Sequence, residues 1–218
     1  TSGNLYVADT LNSRVQVFDS SGSHKLSFGG GGSEGRFFFL AGVVVNEAGV
    51  IFTAELLGGH IRAFRPDGTQ IISFGTRGNG AGQFREAYGI TISNSNRIYV
   101  TDKELGRVQI LQWNPVAPDA PTLTSAVPSD RQITLTFNGP DYNGGDNITG
   151  YTASCNGIKR TFASSPIIIS SLRNGTEYAC AIVATNSAGE STLSNTVYAT
   201  PAEPPSTPQI TNTDYGNE

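Results

Sequence analysis

The sequence predicts an all-β chain made of two unlike modules. Three observations carry that prediction. Glycine (26) and proline (11) are plentiful and charged residues are only 15% of the 218 residues, a composition that disfavours long solvated helices. A motif in the first half returns at offsets of 46 and 47 residues. The second half carries seven short runs of strand-forming residues at the spacing of a two-sheet sandwich.

The repeat comes first along the chain. Leu5-Tyr6-Val7-Ala8-Asp9 returns as Ile51-Phe52-Thr53-Ala54-Glu55 and as Ile98-Tyr99-Val100-Thr101-Asp102. Arg14-Val15 maps onto His60-Ile61 and Arg107-Val108, Phe28-Gly29 onto Phe74-Gly75, and Phe37 onto Phe84. Within one period, Val43–Asn46, Ile51–Ala54, Ile61–Arg65 and Gln70–Phe74 read as strands, being rich in β-branched and aromatic residues. Asn46-Glu-Ala-Gly49, Pro66-Asp-Gly68 and the glycine-rich stretch 75–82 read as the turns between them. Four short strands per period of about 45 residues is the arithmetic of a propeller blade, a unit that buries its faces only by stacking on neighbours.

The run Asp9-Thr-Leu-Asn12-Ser-Arg14-Val15-Gln16-Val17-Phe18, with Gly-Val-x-Val at 42–45 ahead of the second unit, resembles the NHL repeat over residues 1–113. The resemblance implies a partial β-propeller of about two and a half blades. Glu55 stands where the other units have Asp, and Gly58 and Leu105 stand in the slot of Asn12. The expected strands leave the first unit without its innermost strand and the last without its outermost. Residues 1–113 are therefore expected to be the C-terminal end of a larger ring, completed by blades upstream of Thr1.

Pro115, Pro118 and Pro121 mark a stiff linker over residues 114–121. Strands are then expected near 122–127, 131–137, 148–155, 158–162, 166–171, 176–185 and 193–199, the count of an immunoglobulin-like sandwich. Ile133-x-Leu135-x-Phe137, Asn143-Gly-Gly145, Leu172-x-Asn174-Gly-Thr-x-Tyr178 and Ala184-x-Asn186-x-Ala-Gly189 resemble a fibronectin type III domain of the bacterial extracellular kind, over residues 118–201. That resemblance implies a tyrosine corner at Tyr178, its hydroxyl tied to backbone upstream. It also makes the third and sixth strands antiparallel neighbours. Side chains alternate with period two, so Cys155 and Cys180 fall on facing positions and a disulfide is favoured over the plainer alternative of two buried thiols. A disulfide implies an oxidising compartment, and hence a secreted or cell-envelope protein. Residues 202–218 read as a Pro-rich linker or the start of a further domain.

Candidate chemistry is sparse. Gly30–Gly35 fits the spacing of a dinucleotide fingerprint, but no helix follows to present its N-terminus to phosphate, so it reads as a turn. The chain has two histidines, His24 and His60; a metal site needs three or four ligands, so no metal or cofactor is expected. Asp9, Glu55 and Asp102 recur at the end of one strand, either as a ring of carboxylates or as partners of turn backbone and of Arg14 and Arg107. Phe38 and Phe39 align with Arg85 and Glu86, positions that should be exposed. They are either a contact patch or locally repacked.

Charge narrows the partners. Residues 1–114 carry ten basic against nine acidic side chains, and residues 115–218 carry four against nine. That balance argues against nucleic acid as a partner, and no apolar run is long enough for membrane insertion. The expectation is a non-catalytic binding or scaffolding segment, contacting a protein or glycan ligand through propeller loops, with the sandwich as spacer or adhesive unit. Two alternatives follow from the NHL resemblance alone: a fragment of a metal-dependent lyase, and an RNA-binding propeller.

Overall fold

In a computed structural model, the structure describes residues 3–30 and 37–205. The glycine-rich run beyond Gly30 and the tail beyond Pro205 lie outside the described residues. Apart from the three-residue 3-10 turn Thr10–Asn12, every regular element among the described residues is a strand. The chain divides into two compact units.

The first unit holds three antiparallel sheets. Strands β1 (Leu5–Asp9), β2 (Arg14–Phe18) and β3 (His24–Gly29) form the first. Strands β4 (Leu40–Val45), β5 (Ile51–Glu55), β6 (Ile61–Phe64) and β7 (Gln70–Phe74) form the second. A short parallel pair, β8 (Thr76–Arg77) and β9 (Gln83–Phe84), precedes the third sheet. That sheet contains β10 (Ala87–Ile92), β11 (Arg97–Asp102) and β12 (Arg107–Gln112). The counts of three, four and three strands agree with the sequence reading, and the described residues form no closed ring.

The repeat is kept to the level of strand register. Leu5 pairs with Phe18, Ile51 with Phe64, and Ile98 with Leu111. Tyr6–Val17, Phe52–Ala63 and Tyr99–Ile110 follow in step. A one-residue slip would turn each sheet inside out, so equal register gives each sheet the same two faces. Val15 and Val17 of the first sheet pack with Leu40, Ile51 and Phe64 of the second, around Phe37. The opposite face of the second sheet, with Phe52, Ala54, Ile61 and Ala63, packs with Ala87, Ile98 and Val100 of the third, around Phe84. Gly42 lies on β4 against β10. A Cβ there would sit 3.0 Å from both Ile90 Cγ2 and the Tyr88 carbonyl oxygen, so this contact between the second and third sheets favours glycine.

Thr53 breaks the pattern. Its slot is Val7 in the first unit and Val100 in the third, and its Oγ1 is buried with no hydrogen-bond partner among the described residues. A buried hydroxyl without a partner costs about 1–3 kcal/mol. Thr53→Val is therefore expected to stabilise the first unit by about 1 kcal/mol, read as a higher denaturant midpoint at unchanged slope.

The second unit is a sandwich. Strands β13 (Thr122–Ser129), β14 (Gln132–Asn138) and β17 (Ile167–Ser170) make one sheet. The other contains β15 (Gly150–Cys155), β16 (Ile158–Phe162), β18 (Tyr178–Asn186), β19 (Gly189–Glu190) and β20 (Val197–Ala199). The pair Gly189–Glu190 was not anticipated as a strand. Ile133, Leu135, Phe137, Ile167 and Ile169 from the first sheet meet Ala153, Cys155, Cys180 and Ile182 from the second. Buried and exposed positions alternate along β14 and β17, as expected of sheets with one wet face.

The boundaries differ from the sequence reading. Unit 1 takes Thr1–Pro118 together with Tyr142–Ile148 and Asn186–Gly189. Residues 114–118, expected in a linker, belong to it. So does most of the stretch Asp141–Asn147, which lies within the residues 118–201 expected to form the sandwich; Tyr142 is buried in the same cluster as Trp113 and Phe52.

Candidate contact surface

The recurring carboxylates occupy one register position, at the ends of β1, β5 and β11. In the first unit Asp9 Oδ2 receives Arg14 Nε at 2.8 Å and Gln16 Nε2 at 2.9 Å, and Oδ1 receives Asn12 Nδ2 at 2.8 Å. Arg14, then Asn12, hold the Asp9 carboxyl below the ordinary aspartate range. In the third unit Asp102 is fully buried. It accepts the backbone N–H groups of Arg85 (3.2 Å) and Glu86 (3.1 Å), and Arg107 Nε lies 3.5 Å away. Arg107 also donates to the carbonyls of Asn79, Gly80 and Gln83.

The second unit reaches the same result with different residues. His60 stands in the arginine slot, and its Nδ1 lies 3.1 Å from the Gly75 carbonyl oxygen. The cation has moved two residues along β6, which keeps it on the same face. Arg62, in the slot of Gln16 and Gln109, places Nε 2.6 Å from Glu55 Oε1. Glu55 Oε2 accepts the Phe38 N–H at 2.7 Å. Burial pushes the Glu55 carboxyl above the ordinary glutamate range, against the opposing pull of Phe38 N–H and Arg62. Sequence reasoning missed Arg62 because repeat alignment assigned the cation slot to His60. The departure at His60 was the available signal that a cation two residues on would replace it.

These carboxylates are engaged with backbone and arginine in all three units. Glu55 and Asp102 act as clips, fastening the segment ahead of β4 or β10 to the turn after β5 or β11. Among the described residues no three His, Cys, Asp or Glu side chains gather as a metal-binding group.

The clip in the second unit presents something the third does not. Leu56 N–H donates to the Phe39 carbonyl at 2.9 Å and Leu57 N–H to the Phe38 carbonyl at 3.3 Å. Phe38, Phe39 and Leu57 are 55%, 40% and 53% exposed, and Leu56 is half-buried. Their counterparts 47 residues on are Arg85, Glu86, Lys103 and Glu104. Arg85 and Glu104 form an ion pair at 3.5 Å, and Lys103 N–H donates to the Glu86 carbonyl. Equivalent positions thus carry four charges in one unit and four apolar side chains in the other. Phe39 is held at φ +63°, a left-handed conformation that a bulky residue rarely adopts. The sequence pointed to Phe38 and Phe39; the same offset would have added Leu56 and Leu57.

In the sandwich, Tyr178 Oη accepts the Arg173 N–H at 2.9 Å, a link to backbone five residues upstream. Cys155 and Cys180 are register partners on β15 and β18 and are bonded, with Cα atoms 4.1 Å apart. Residues 117–200 match the fibronectin type III domain family. This segment is a fibronectin type III domain. A human solution structure described as a fourth FNIII domain is 21% identical, with a TM-score of 0.37, over 49% of this chain and 92% of the other. The domain of human fibronectin type III domain containing protein 3 is 20% identical, with a TM-score of 0.33, over 43% and 92%. A structure of titin kinase and its flanking domains is 20% identical, with a TM-score of 0.32, over 39% and 17%. The fibronectin type III domain fits a binding or scaffolding module. Its disulfide and fold are consistent with an extracellular location, and no helix among the described residues is long and apolar enough to cross a membrane.

Proposed function

We propose that this chain is a non-catalytic binding and scaffolding segment of a secreted or cell-envelope protein. In this reading the three sheets of the first unit are NHL-type propeller blades, and the fibronectin type III domain is the spacer or adhesive unit. The equal register of the three sheets supports the blade reading. The ligand is another protein, held at the apolar patch of Phe38, Phe39, Leu56 and Leu57. The substitution of that quartet for the charged quartet Arg85, Glu86, Lys103 and Glu104 carries the proposal. A surface that costs solubility in one unit and not in its sister is the mark of a contact site.

The third unit supplies its own control. The variant F38R/F39E/L56K/L57E installs the quartet that the equivalent positions of the third unit carry. Its thermal stability is expected to stay close to that of the parent chain, because surface changes usually move stability by about 0.5 kcal/mol or less. Proteins from the native extracellular milieu that bind the immobilised parent chain are expected to lose about tenfold or more in affinity for the variant. Equal retention by both chains overturns the patch. Binding to a glycan array with no protein retained overturns the assignment of ligand class.

A further inference from the structure

We propose that the apolar patch holds a short extended stretch of polypeptide whose apolar side chains are followed by a carboxylate, and that Arg77 pairs with that carboxylate. The inference rests on the protein-binding reading of the patch and adds the chemistry of what the patch takes.

The apolar row is longer than Phe38, Phe39, Leu56 and Leu57. Leu11 occupies in the first unit the slot that Leu57 occupies in the second, and it is 88% exposed. Its turn, Thr10–Asn12, lies against β4. A Cβ on Gly29 would meet the Phe37 ring at 2.6 Å and the Ser13 carbonyl oxygen at 2.9 Å. The residue that follows the Leu11 turn and the residue that precedes Phe38 are therefore neighbours. On the other side, Leu56 and Leu57 are tied to Phe39 and Phe38 through their backbone. Exposed apolar side chains thus follow one another from Leu11 through Phe39 and Phe38 to Leu57. A row of this kind suits an extended segment, which turns alternate side chains to one face.

The row ends on a cation. Arg77 lies on β8, paired in parallel with β9. A Cβ on Gly59 would sit 2.9 Å from the Thr76 carbonyl oxygen and 3.0 Å from Arg77 N, and Gly59 is held at φ +63°. The turn that carries Leu57 and the strand that carries Arg77 approach this closely because glycine stands between them. Arg77 Nη1 donates to the Leu57 carbonyl at 3.2 Å, which holds the exposed guanidinium at the edge of the patch. Among the described residues its other N–H groups meet no acceptor and it forms no ion pair.

The third unit shows the contrast. There the slot of Leu57 holds Glu104, which pairs with Arg85 at 3.5 Å, so the chain itself supplies the carboxylate. At the patch the chain supplies an arginine and apolar side chains but no acid, and charge complementarity assigns the acid to the partner. Aromatic residues with arginine are the composition of interface hot spots, and a guanidinium fork takes a carboxylate through parallel N–H···O bonds.

Panning short random peptides, displayed on phage, against the immobilised full chain tests this. Enriched peptides are expected to carry at least two apolar or aromatic residues with Asp or Glu beyond the last of them. Synthetic copies in which the acid becomes Asn or Gln should bind about fivefold more weakly, as should the acidic copies to Arg77→Gln. Arg77→Glu should reverse the preference, binding copies with Lys in place of the acid better than the acidic ones. Leu11→Ser should weaken binding without changing the preference for acid. A peptide ending at its last apolar residue, compared as free acid and as amide, separates a chain terminus from an acidic side chain as the source of the carboxylate. Circular dichroism and an unfolding midpoint equal to the parent's show that the variants are folded; if Arg77→Glu fails that check, Arg77→Gln alone decides. Peptides that carry no acid and bind Arg77→Gln as well as the parent overturn the inference, and so does a panning that enriches nothing; both leave the patch available to a folded partner. Peptides that bind F38R/F39E/L56K/L57E as tightly as the parent overturn the patch itself.

Discussion

Replacing Cys155 and Cys180 together by alanine is expected to lower the stability of the fibronectin type III domain by about 3 kcal/mol. The bond joins residues 25 apart in sequence, and closing a loop of that size removes conformational freedom from the unfolded chain worth about that much. Both sulfurs lie in the core with Ala153, Ile182 and Tyr178, so alanine also leaves some unfilled volume, which adds to the loss rather than offsetting it. For a domain of this size the midpoint should fall by roughly 12–24 °C. Calorimetry on the parent chain, on the parent chain with reductant, and on the double variant separates the two contributions. Reductant should lower the midpoint of the sandwich transition in the parent and leave the variant unmoved. The transition of the first unit, which contains no cysteine, should be indifferent to reductant. A sandwich transition equally stable with and without the bond means that the link contributes nothing to folding, and with that the physical reason for needing an oxidising compartment disappears.

The placement of that bond was legible because parity along a strand is a local property. Tyr151, Ala153 and Cys155 alternate with Thr152 and Ser154, and Tyr178, Cys180 and Ile182 alternate with Ala179 and Ala181; once the two strands are neighbours, both sulfurs fall on the inner face. The strand counts of the first unit were legible for a related reason. A repeat tests each residue against two others, so Ile51-Phe52-Thr53-Ala54-Glu55 identifies β1 and β11 as surely as it identifies itself. What the repeat hid is where it was broken. His60 occupies the arginine slot, and the compensating cation at Arg62 lies in a slot that elsewhere holds glutamine; only the alternation of side chains in three dimensions shows that the two slots serve one carboxylate. The grouping of Tyr142–Ile148 and Asn186–Gly189 with the first unit was not legible at all. It depends on tertiary packing between segments far apart in sequence, and nothing in the composition of those segments marks it.

Removing the Glu55 carboxylate is expected to cost the first unit about 3–5 kcal/mol, far more than the equivalent change at Asp9. Glu55 has no exposed side-chain surface and Arg62 is only 10% exposed, so Glu55→Ala breaks a nearly buried ion pair and deprives Phe38 N–H of its acceptor. Asp9 and Arg14 are 17% and 39% exposed; water and salt screen that pair, so Asp9→Ala should cost far less. Burying the Glu55–Arg62 pair was itself unfavourable, as the upward push on the Glu55 carboxyl shows. The double change Glu55→Leu with Arg62→Met should therefore recover most of the loss, and a double-mutant cycle isolates the coupling. The pH dependence has a definite sign. Because the folded chain holds the Glu55 proton more tightly than the unfolded chain, this site's contribution is full below the ordinary glutamate value of 4.5 and is lost as pH rises through the folded-state value. Asp9, held down by Arg14, works the other way: its contribution is present above the ordinary value of 3.8 and lost as pH falls below it. Glu55→Gln keeps an oxygen for Phe38 N–H and abolishes the titration, so it should flatten the decline above pH 4.5 while leaving in place the acid limb, to which Asp9, Asp19 and Asp67 contribute. A decline that survives in Glu55→Gln would assign it to another group and remove Glu55 as the buried clip that holds the Phe38 segment against the turn after β5.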